Sequence, residues 1–68
     1  MVKFGERICE LRLEKNLSQE QLANYIGVNR RSISNWEKGS RQPDFQTLEK
    51  LVNFFDVTAD YLLGFKDY

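Results

Sequence analysis

Apolar residues recur every three or four positions along most of the chain, which is the spacing of helices with one buried face. Phe4, Ile8 and Leu11 form such a stripe, and we place a first helix over about residues 3–15. The sequence contains no internal repeat, linker or low-complexity segment. The pattern therefore predicts one all-α domain over residues 1–68, small enough that helix caps and core packing both matter.

Two short helices joined by a tight turn are predicted over about residues 18–38. Ser18 and Gln21 have the spacing of a capping box at the first of these helices, and Asn29 is a good N-cap for the second. Two apolar pairs have the spacing of hydrophobic staples around these caps: Leu17 with Leu22, and Val28 with Ile33. Gly27 follows the first helix, where a left-handed residue allows a sharp turn. Because so short a turn separates the helices, they must cross.

Two further helices are predicted in the second half of the chain. Residues 39–43 form a loop, because glycine ends the preceding helix and Pro43 disfavours helical geometry at the residue before it. A fourth helix follows over about residues 44–55, and we interpret its apolar stripe as core: Phe45, Leu48, Leu51, Val52 and Phe55. Thr58 caps a short fifth helix that ends at Gly64.

The helix after Asn29 has an apolar side and a polar, basic side. At about 100° per residue, Ile33, Trp36 and Glu37 fall on one side. The opposite side carries Arg31, Ser34, Asn35 and Lys38, with Arg30 on its flank. These side chains can bond to the base edges and phosphates of nucleic acids. The alternative is an ordinary solvated face, but two arginines at the positive end of a helix dipole are locally unfavourable, which favours a binding function.

Two charged residues lie at the edges of apolar stripes. Arg12 comes four residues after Ile8, and Glu37 comes four residues after Ile33. A charge in such a place is costly without a partner, so we interpret Arg12 and Glu37 as a pair. Two separately solvated charges are the alternative.

The chain resembles the lambda-repressor-like helix-turn-helix family of bacterial and phage regulators. The resemblance extends from Phe4 to about Gly64. Its most telling residues are Leu17-Ser18-Gln19, Leu22-Ala23, Gly27-Val28, Ile33-Ser34 and Trp36-Glu37-Lys38-Gly39. It implies a compact five-helix domain that binds double-stranded DNA sequence-specifically through the major groove. The protein would be a transcriptional regulator, in particular a repressor, or the DNA-binding domain of one.

The resemblance also implies roles for single residues. Those expected to read bases are Arg30, Arg31, Ser34 and Asn35. A position matching Gln19 holds a phosphate. Apart from the resemblance, we also expect phosphate contacts from Ser18, Asn29 and Lys38, and from Ser40, Arg41 and backbone N–H groups of their loop, which lies beside the basic helix. Positions matching Arg12 and Glu37 form an internal salt bridge in some relatives. Some relatives carry a glutamine pair where this chain has Arg30 and Arg31, so their base preference does not transfer.

The formal net charge of zero argues against a nucleic-acid partner, because such proteins are often basic overall. The charge is unevenly spread, however. Residues 1–41 hold eight Lys or Arg against five Asp or Glu, whereas residues 42–68 hold two against five. DNA responds to local phosphate contacts more than to the total charge, so we expect the acidic half to face away from it and non-specific binding to be weak.

The sequence lacks the residues that several classes of function require. The sequence has no histidine and one cysteine, so it offers neither an internal disulfide nor a zinc cluster, and we expect no metal or cofactor. Cys9 is expected to be a half-buried helix residue. Little material remains for catalysis, so we do not expect an enzyme. No stretch approaches a membrane span or a signal peptide, which favours a cytoplasmic protein.

The expected partner is an operator in double-stranded DNA. Phe65 and Tyr68 follow the last predicted helix, and either pack back on the fold or contact a second copy in a homodimer formed on DNA. The alternative function is a helical protein-interaction module, such as an antitoxin-like domain whose basic helix contacts an acidic partner.

Overall fold

Five α-helices make up the regular structure of the protein, as seen in a computed structural model that describes residues 3–68. They are α1 (Phe4–Glu14), α2 (Gln19–Ile26), α3 (Arg30–Lys38), α4 (Phe45–Phe55) and α5 (Ala59–Leu63). No strand occurs within the described residues. The helices match the predicted ones in number and order, which confirms the all-α, five-helix prediction. No helix in this part of the chain has the length and apolarity to cross a bilayer.

A side chain caps each of the last four helices. Ser18, Asn29, Asp44 and Thr58 each accept a hydrogen bond of 2.8 to 3.0 Å from the backbone N–H three residues further on. Ser18 N also donates to Gln21 Oε1 at 2.8 Å, which completes the predicted capping box. Gly27 ends α2 with a φ of 90°, a conformation that costs glycine nothing and lets α3 cross α2. The local signals of the sequence are therefore confirmed.

The core lies where α3 packs against α1 and α2, while α4 packs on α2 and α5 closes against α1 and α4. Its buried apolar residues are Phe4, Ile8, Leu22, Ala23, Ile26, Ile33, Trp36, Leu51, Phe55 and Leu62. Phe4 meets the Trp36 ring edge-on, with 6.4 Å between ring centroids. Gly5 lets α1 approach α3 closely, since a Cβ there would lie 2.4 Å from the carbonyl oxygen of Trp36. The α3 backbone is thus held firmly on one side.

Phe45 is not part of the core, and that prediction was wrong. Its side chain is 90% exposed, whereas Leu51 and Phe55 of the same helix are buried. Two steps of three residues separate Phe45 from Leu51, and each step falls about 60° short of a full turn. Phe45 therefore lies about 120° around α4 from Leu51, at the first turn of the helix.

The segment after α5 is held against α1 by Arg7, the most buried charged residue among residues 3–68. Its guanidinium donates to the carbonyl oxygens of Tyr61 and Lys66, the latter at 2.6 Å, and lies 3.1 Å from Asp67 Oδ1. It also stacks over the Tyr61 ring, 4.2 Å from the centroid. No pattern in the sequence pointed to Arg7.

Phe65 and Tyr68 belong to this fastened segment, but their side chains do not complete the core. They are 76% and 80% exposed. Of the two alternatives for these side chains, the structure does not show the one in which they pack back on the fold, although the backbone of the segment does so.

Candidate nucleic-acid interface

The side of α3 opposite its buried residues is the surface on which the predicted base-reading residues lie. Ile33 and Trp36 point into the core. Arg30, Arg31 and Lys38 are exposed, whereas Ser34 and Asn35 are half-buried. Packing thus fixes α3 as a ridge with arginines at its N-terminal end.

One cleft runs between α3 and the loop that leads to α4. Among its lining residues are four of the predicted contacts: Asn29, Arg31, Asn35 and Arg41. Val28, Trp36 and Pro43 also line it, and they form its apolar part. The structure therefore brings together base-reading and phosphate-contacting candidates that are up to twelve residues apart in sequence.

A second cleft lies on the other flank of α3, against α1 and the start of α2. It is lined by three further predicted contacts, Gln19, Ser34 and Lys38, together with Gly5, Glu6, Cys9, Glu10 and Glu37. The predicted residues are thus divided by α3 into two groups. Arg30, Ser18 and Ser40 line neither cleft.

The N-cap side chains of α2 and α3 can still donate hydrogen bonds, because only their oxygen atoms are used in capping. Ser18 Oγ accepts from Gln21 N, which leaves its hydroxyl proton to donate. Asn29 Oδ1 accepts from the backbone N and the hydroxyl of Ser32, which leaves its Nδ2 protons. Because these donors lie at the N-termini of α2 and α3, their sites also carry the positive ends of two helix dipoles.

The loop after α3 is folded back on the helix. The backbone N–H groups of Ser40 and Arg41 both donate to the carbonyl oxygen of Asn35, at 3.0 and 3.4 Å. The Ser40 hydroxyl reaches the same oxygen at 3.3 Å. These two backbone N–H groups therefore complete the end of α3, and the expected phosphate contact of the loop rests on its side chains. The exposed Arg41 side chain stays available.

Asp44 adds a carboxylate to the cleft that holds Arg31 and Arg41. Hydrogen bonds from Thr47 hold the pKa of Asp44 below its usual value, so the group is charged at neutral pH. In the sequence, Asp44 stands out only as the start of a predicted helix. Its spacing to Thr47 marks a cap, but no sequence pattern places it in one cleft with Arg31 and Arg41.

Arg12 and Glu37 lie between α1 and α3 as a two-pronged ion pair. Arg12 Nε is 2.7 Å from Glu37 Oε2, and Arg12 Nη2 donates to Oε1 at 3.1 Å. Their side chains are only 11% and 10% exposed. The hydrogen bond to Glu37 raises the pKa of Arg12 above its usual value, although burial opposes that effect. Gln19 Nε2 also donates to Glu37 Oε1, at 3.0 Å.

The family model described as helix-turn-helix matches residues 8–62, from α1 into α5. The chain belongs to the helix-turn-helix family. This match, together with the relatives below, confirms the resemblance that the sequence showed to lambda-repressor-like proteins. Helices α2 and α3 are the pair that gives the family its name.

Two curated relatives show how far the similarity extends. The HTH-type transcriptional activator BcrR of Enterococcus faecalis is 45% identical over 63 residues, which are 93% of this chain and 31% of that protein. The cryptic phage CTXphi transcriptional repressor RstR of Vibrio cholerae is 43% identical over 61 residues, 90% of this chain and 55% of that protein. The chain thus spans about a third to about half of the length of these relatives.

A solved structure of similar fold is the P22 c2 repressor in complex with a synthetic operator. It superposes with a TM-score of 0.82 at 32% sequence identity, covering 87% of this chain and 89% of that chain. The likeness therefore extends over nearly all of the five-helix fold.

Proposed function

We propose that this chain binds double-stranded DNA sequence-specifically with α3 in the major groove, as a transcriptional regulator or its DNA-binding domain. The observation that carries the proposal is the pair of exposed arginines at the start of α3, on a ridge flanked by two clefts of hydrogen-bonding side chains. Arginines at this end of a helix do not stabilise it, so they point to a ligand that is anionic. The relatives named as a transcriptional activator and a repressor, and the repressor bound to an operator, support this function.

Arg31 and Asn35 are the residues that we assign to base reading. They are four residues apart on α3 and line one cleft. Arginine matches the two acceptors of guanine, and asparagine matches the donor and acceptor of adenine. Arg30 competes for the guanine because it enters the groove first, and Ser34 adds a weaker contact.

Phosphate contacts are assigned to the residues around this ridge. Gln19 and Lys38 lie on the α1 side of α3, and Arg41 lies on the loop side. The spare donors of Ser18 and Asn29 add contacts at two helix N-termini. Ser40 is the weakest member of the set, since its hydroxyl already donates to the Asn35 carbonyl.

Selection of bound duplexes from a random pool, followed by titration of the recovered sequence, tests the proposal. Asn35→Ala should weaken binding to the selected duplex by about 1–3 kcal/mol and leave binding to unrelated duplexes nearly unchanged. Asn24→Ala is the matched control, because Asn24 is exposed on α2 and lines neither α3 cleft. Arg41→Ala should weaken all sequences alike and reduce the salt dependence by about 0.9 log unit per log unit of salt.

Two results would contradict the assignment. Equal weakening of all duplexes by Asn35→Ala would make that residue a backbone contact and refute the docking of α3. Absence of duplex binding even at low salt would refute the DNA-binding function and favour the protein-interaction module.

We also propose that the chain pairs as a homodimer on DNA through the segment after α5. Arg7 fixes the backbone of that segment while the Phe65 and Tyr68 rings remain exposed, which presents apolar area to a second copy. Sedimentation with and without the selected duplex tests this. Phe65→Ser should abolish pairing, and an unaffected dimer would place the interface elsewhere.

A regulator of this kind binds its ligand without chemical change, so we propose no enzymatic activity. Because operator DNA of bacteria and phages is read in the cytoplasm, the proposed function also places the protein there.

A further inference from the structure

The Gln19 side chain is oriented before any ligand arrives. Gln19 is the first residue of α2 and is half-buried, and its Nε2 donates to Glu37 Oε1 at 3.0 Å. A carboxylate only accepts hydrogen bonds, so the amide must turn its nitrogen, and not its oxygen, toward Glu37. An amide nitrogen carries two protons, and this bond uses one. The other proton is left for a second acceptor.

Glu37 is itself fixed by Arg12. The guanidinium grips both carboxylate oxygens, at 2.7 and 3.1 Å. Its Nη1 also donates to the carbonyl oxygen of Leu17 at 2.8 Å, two residues before Gln19. One buried cation therefore sets the position of the carboxylate and of the backbone that leads into α2.

The Arg12–Glu37 pair adds no net charge beside Gln19. A lone carboxylate beside Gln19 would repel a phosphate, but the Arg12 cation lies against it at hydrogen-bond distance and offsets its charge. Gln19 shares its cleft with Lys38, which is exposed on α3. The cleft thus offers an anion a neutral donor held in place beside Lys38, while Glu6 and Glu10 of α1 line the same cleft and oppose non-specific attraction.

We propose that Glu37, held by Arg12, is a positioning residue that aims the Gln19 amide at a DNA phosphate. The inference rests on the proposed DNA-binding function and adds a role for the ion pair beyond folding. A glutamine side chain that moves freely loses rotamer freedom when it binds. The side chain held by Glu37 has lost that freedom before binding, so its hydrogen bond to a phosphate contributes more to affinity than that of a free glutamine.

A thermodynamic cycle on duplex affinity tests the coupling. Gln19→Ala is introduced into the natural chain, into Arg12→Met/Glu37→Met and into Arg12→Met/Glu37→Gln. The first double variant replaces the buried pair with apolar side chains of similar size, a change that is often tolerated. The second restores a neutral acceptor that can hold the Gln19 amide without Arg12. Urea unfolding of each protein keeps folding losses separate from binding losses.

We expect Gln19→Ala to weaken binding to a selected duplex about tenfold in the natural chain, the size of one hydrogen bond to a charged group. In the Met/Met background the same change should weaken binding by roughly twofold or less, because the amide is no longer held. The Met/Gln background should restore most of the tenfold effect. An equal loss in all three backgrounds, or no loss in the natural chain, would overturn the proposal.

A second measurement stands without the double variants and without DNA. The side-chain amide of Gln19, observed by 15N relaxation, should be as ordered as rigid backbone, with an order parameter of about 0.85. A value below about 0.6 would overturn the positioning role. A natural chain that binds no duplex would refute the proposed function instead, and the order parameter would still decide whether Glu37 holds the amide.

Discussion

Replacing Glu37 with leucine should strand the Arg12 guanidinium between α1 and α3. Arg12 would lose its bonds of 2.7 and 3.1 Å to the carboxylate and keep the one to the Leu17 carbonyl. Because the Arg12 side chain is 11% exposed, water cannot replace the lost partner fully. Breaking a buried pair in this way typically costs about 3–5 kcal/mol.

That loss is large for this chain. Globular domains gain roughly 0.05–0.15 kcal/mol per residue on folding, which gives about 3–10 kcal/mol for a protein of this length. Glu37→Leu should therefore lose roughly a third or more of its free energy of unfolding. Arg12→Met should be damaging too, since it leaves the Glu37 carboxylate with the Gln19 amide as its remaining partner.

The double variant Arg12→Met/Glu37→Leu distinguishes an interacting ion pair from two charges that are solvated independently. It leaves no unpaired charge, so its cost should be about 1 kcal/mol or less, far below the sum of the single costs. Urea melts followed by circular dichroism measure all three variants. Single costs of a few tenths of a kcal/mol that simply add would show that the two charges are solvated separately.

The pH of these melts can be chosen freely in the neutral range. Glu37 raises the folded pKa of Arg12 above its unfolded value. A base whose pKa is raised by folding stabilises the folded state fully at any pH below its unfolded pKa. It loses that contribution only as the pH rises through its folded pKa. For arginine both values lie far above neutrality.

Three further predictions test other parts of the structure. Gly5→Ala should lower the free energy of unfolding by about 1–3 kcal/mol, although alanine is the better helix former, because its Cβ would overlap the Trp36 carbonyl oxygen; a stabilised variant would contradict the close helix contact. Asp44→Asn keeps the cap and should change stability little at neutral pH. Because folding lowers the pKa of Asp44, only the natural chain should lose the stabilisation by the ionised carboxylate as the pH falls below about 4. An equal fall in the free energy of unfolding of the two proteins at acid pH would contradict this expectation. Arg7→Met should release the segment after α5, so that its amides exchange near the unprotected rate while those of α1 to α3 stay protected; unchanged protection would show that other contacts hold the segment.

Features set by neighbours in sequence could be predicted, and the helix caps show why. Ser18, Asn29 and Thr58 each bond to a group three residues away, so the signal and its partner stand within one short string. Phe45 shows the limit of periodicity as a signal. Residues spaced by three move steadily around a helix, and the spacing does not show which of them a neighbouring helix covers. Its exposure follows from the arrangement of α4 in the fold.

Arg7 could not be found in this way. Its partners are 54 to 60 residues away, and two of them are backbone carbonyl oxygens that no residue type marks. Arg12 and Glu37 are also distant, but each stood at the edge of an apolar stripe, which made both conspicuous. A long-range contact is thus visible in sequence only when both partners break a local pattern.

The residues of the candidate interface were predicted one helix at a time, so the sequence did not show which acidic groups face them. Glu6 and Glu10 of α1 line the cleft of Ser34 and Lys38, and Asp44 lines the cleft of Arg31. Carboxylates on both flanks of α3 reduce its attraction for any phosphate backbone, and the chain has no net charge to compensate. Base contacts must then supply a larger share of the affinity for the preferred site than they would on a basic domain. The zero net charge that first argued against DNA is therefore compatible with a protein that binds few sequences well and most sequences poorly.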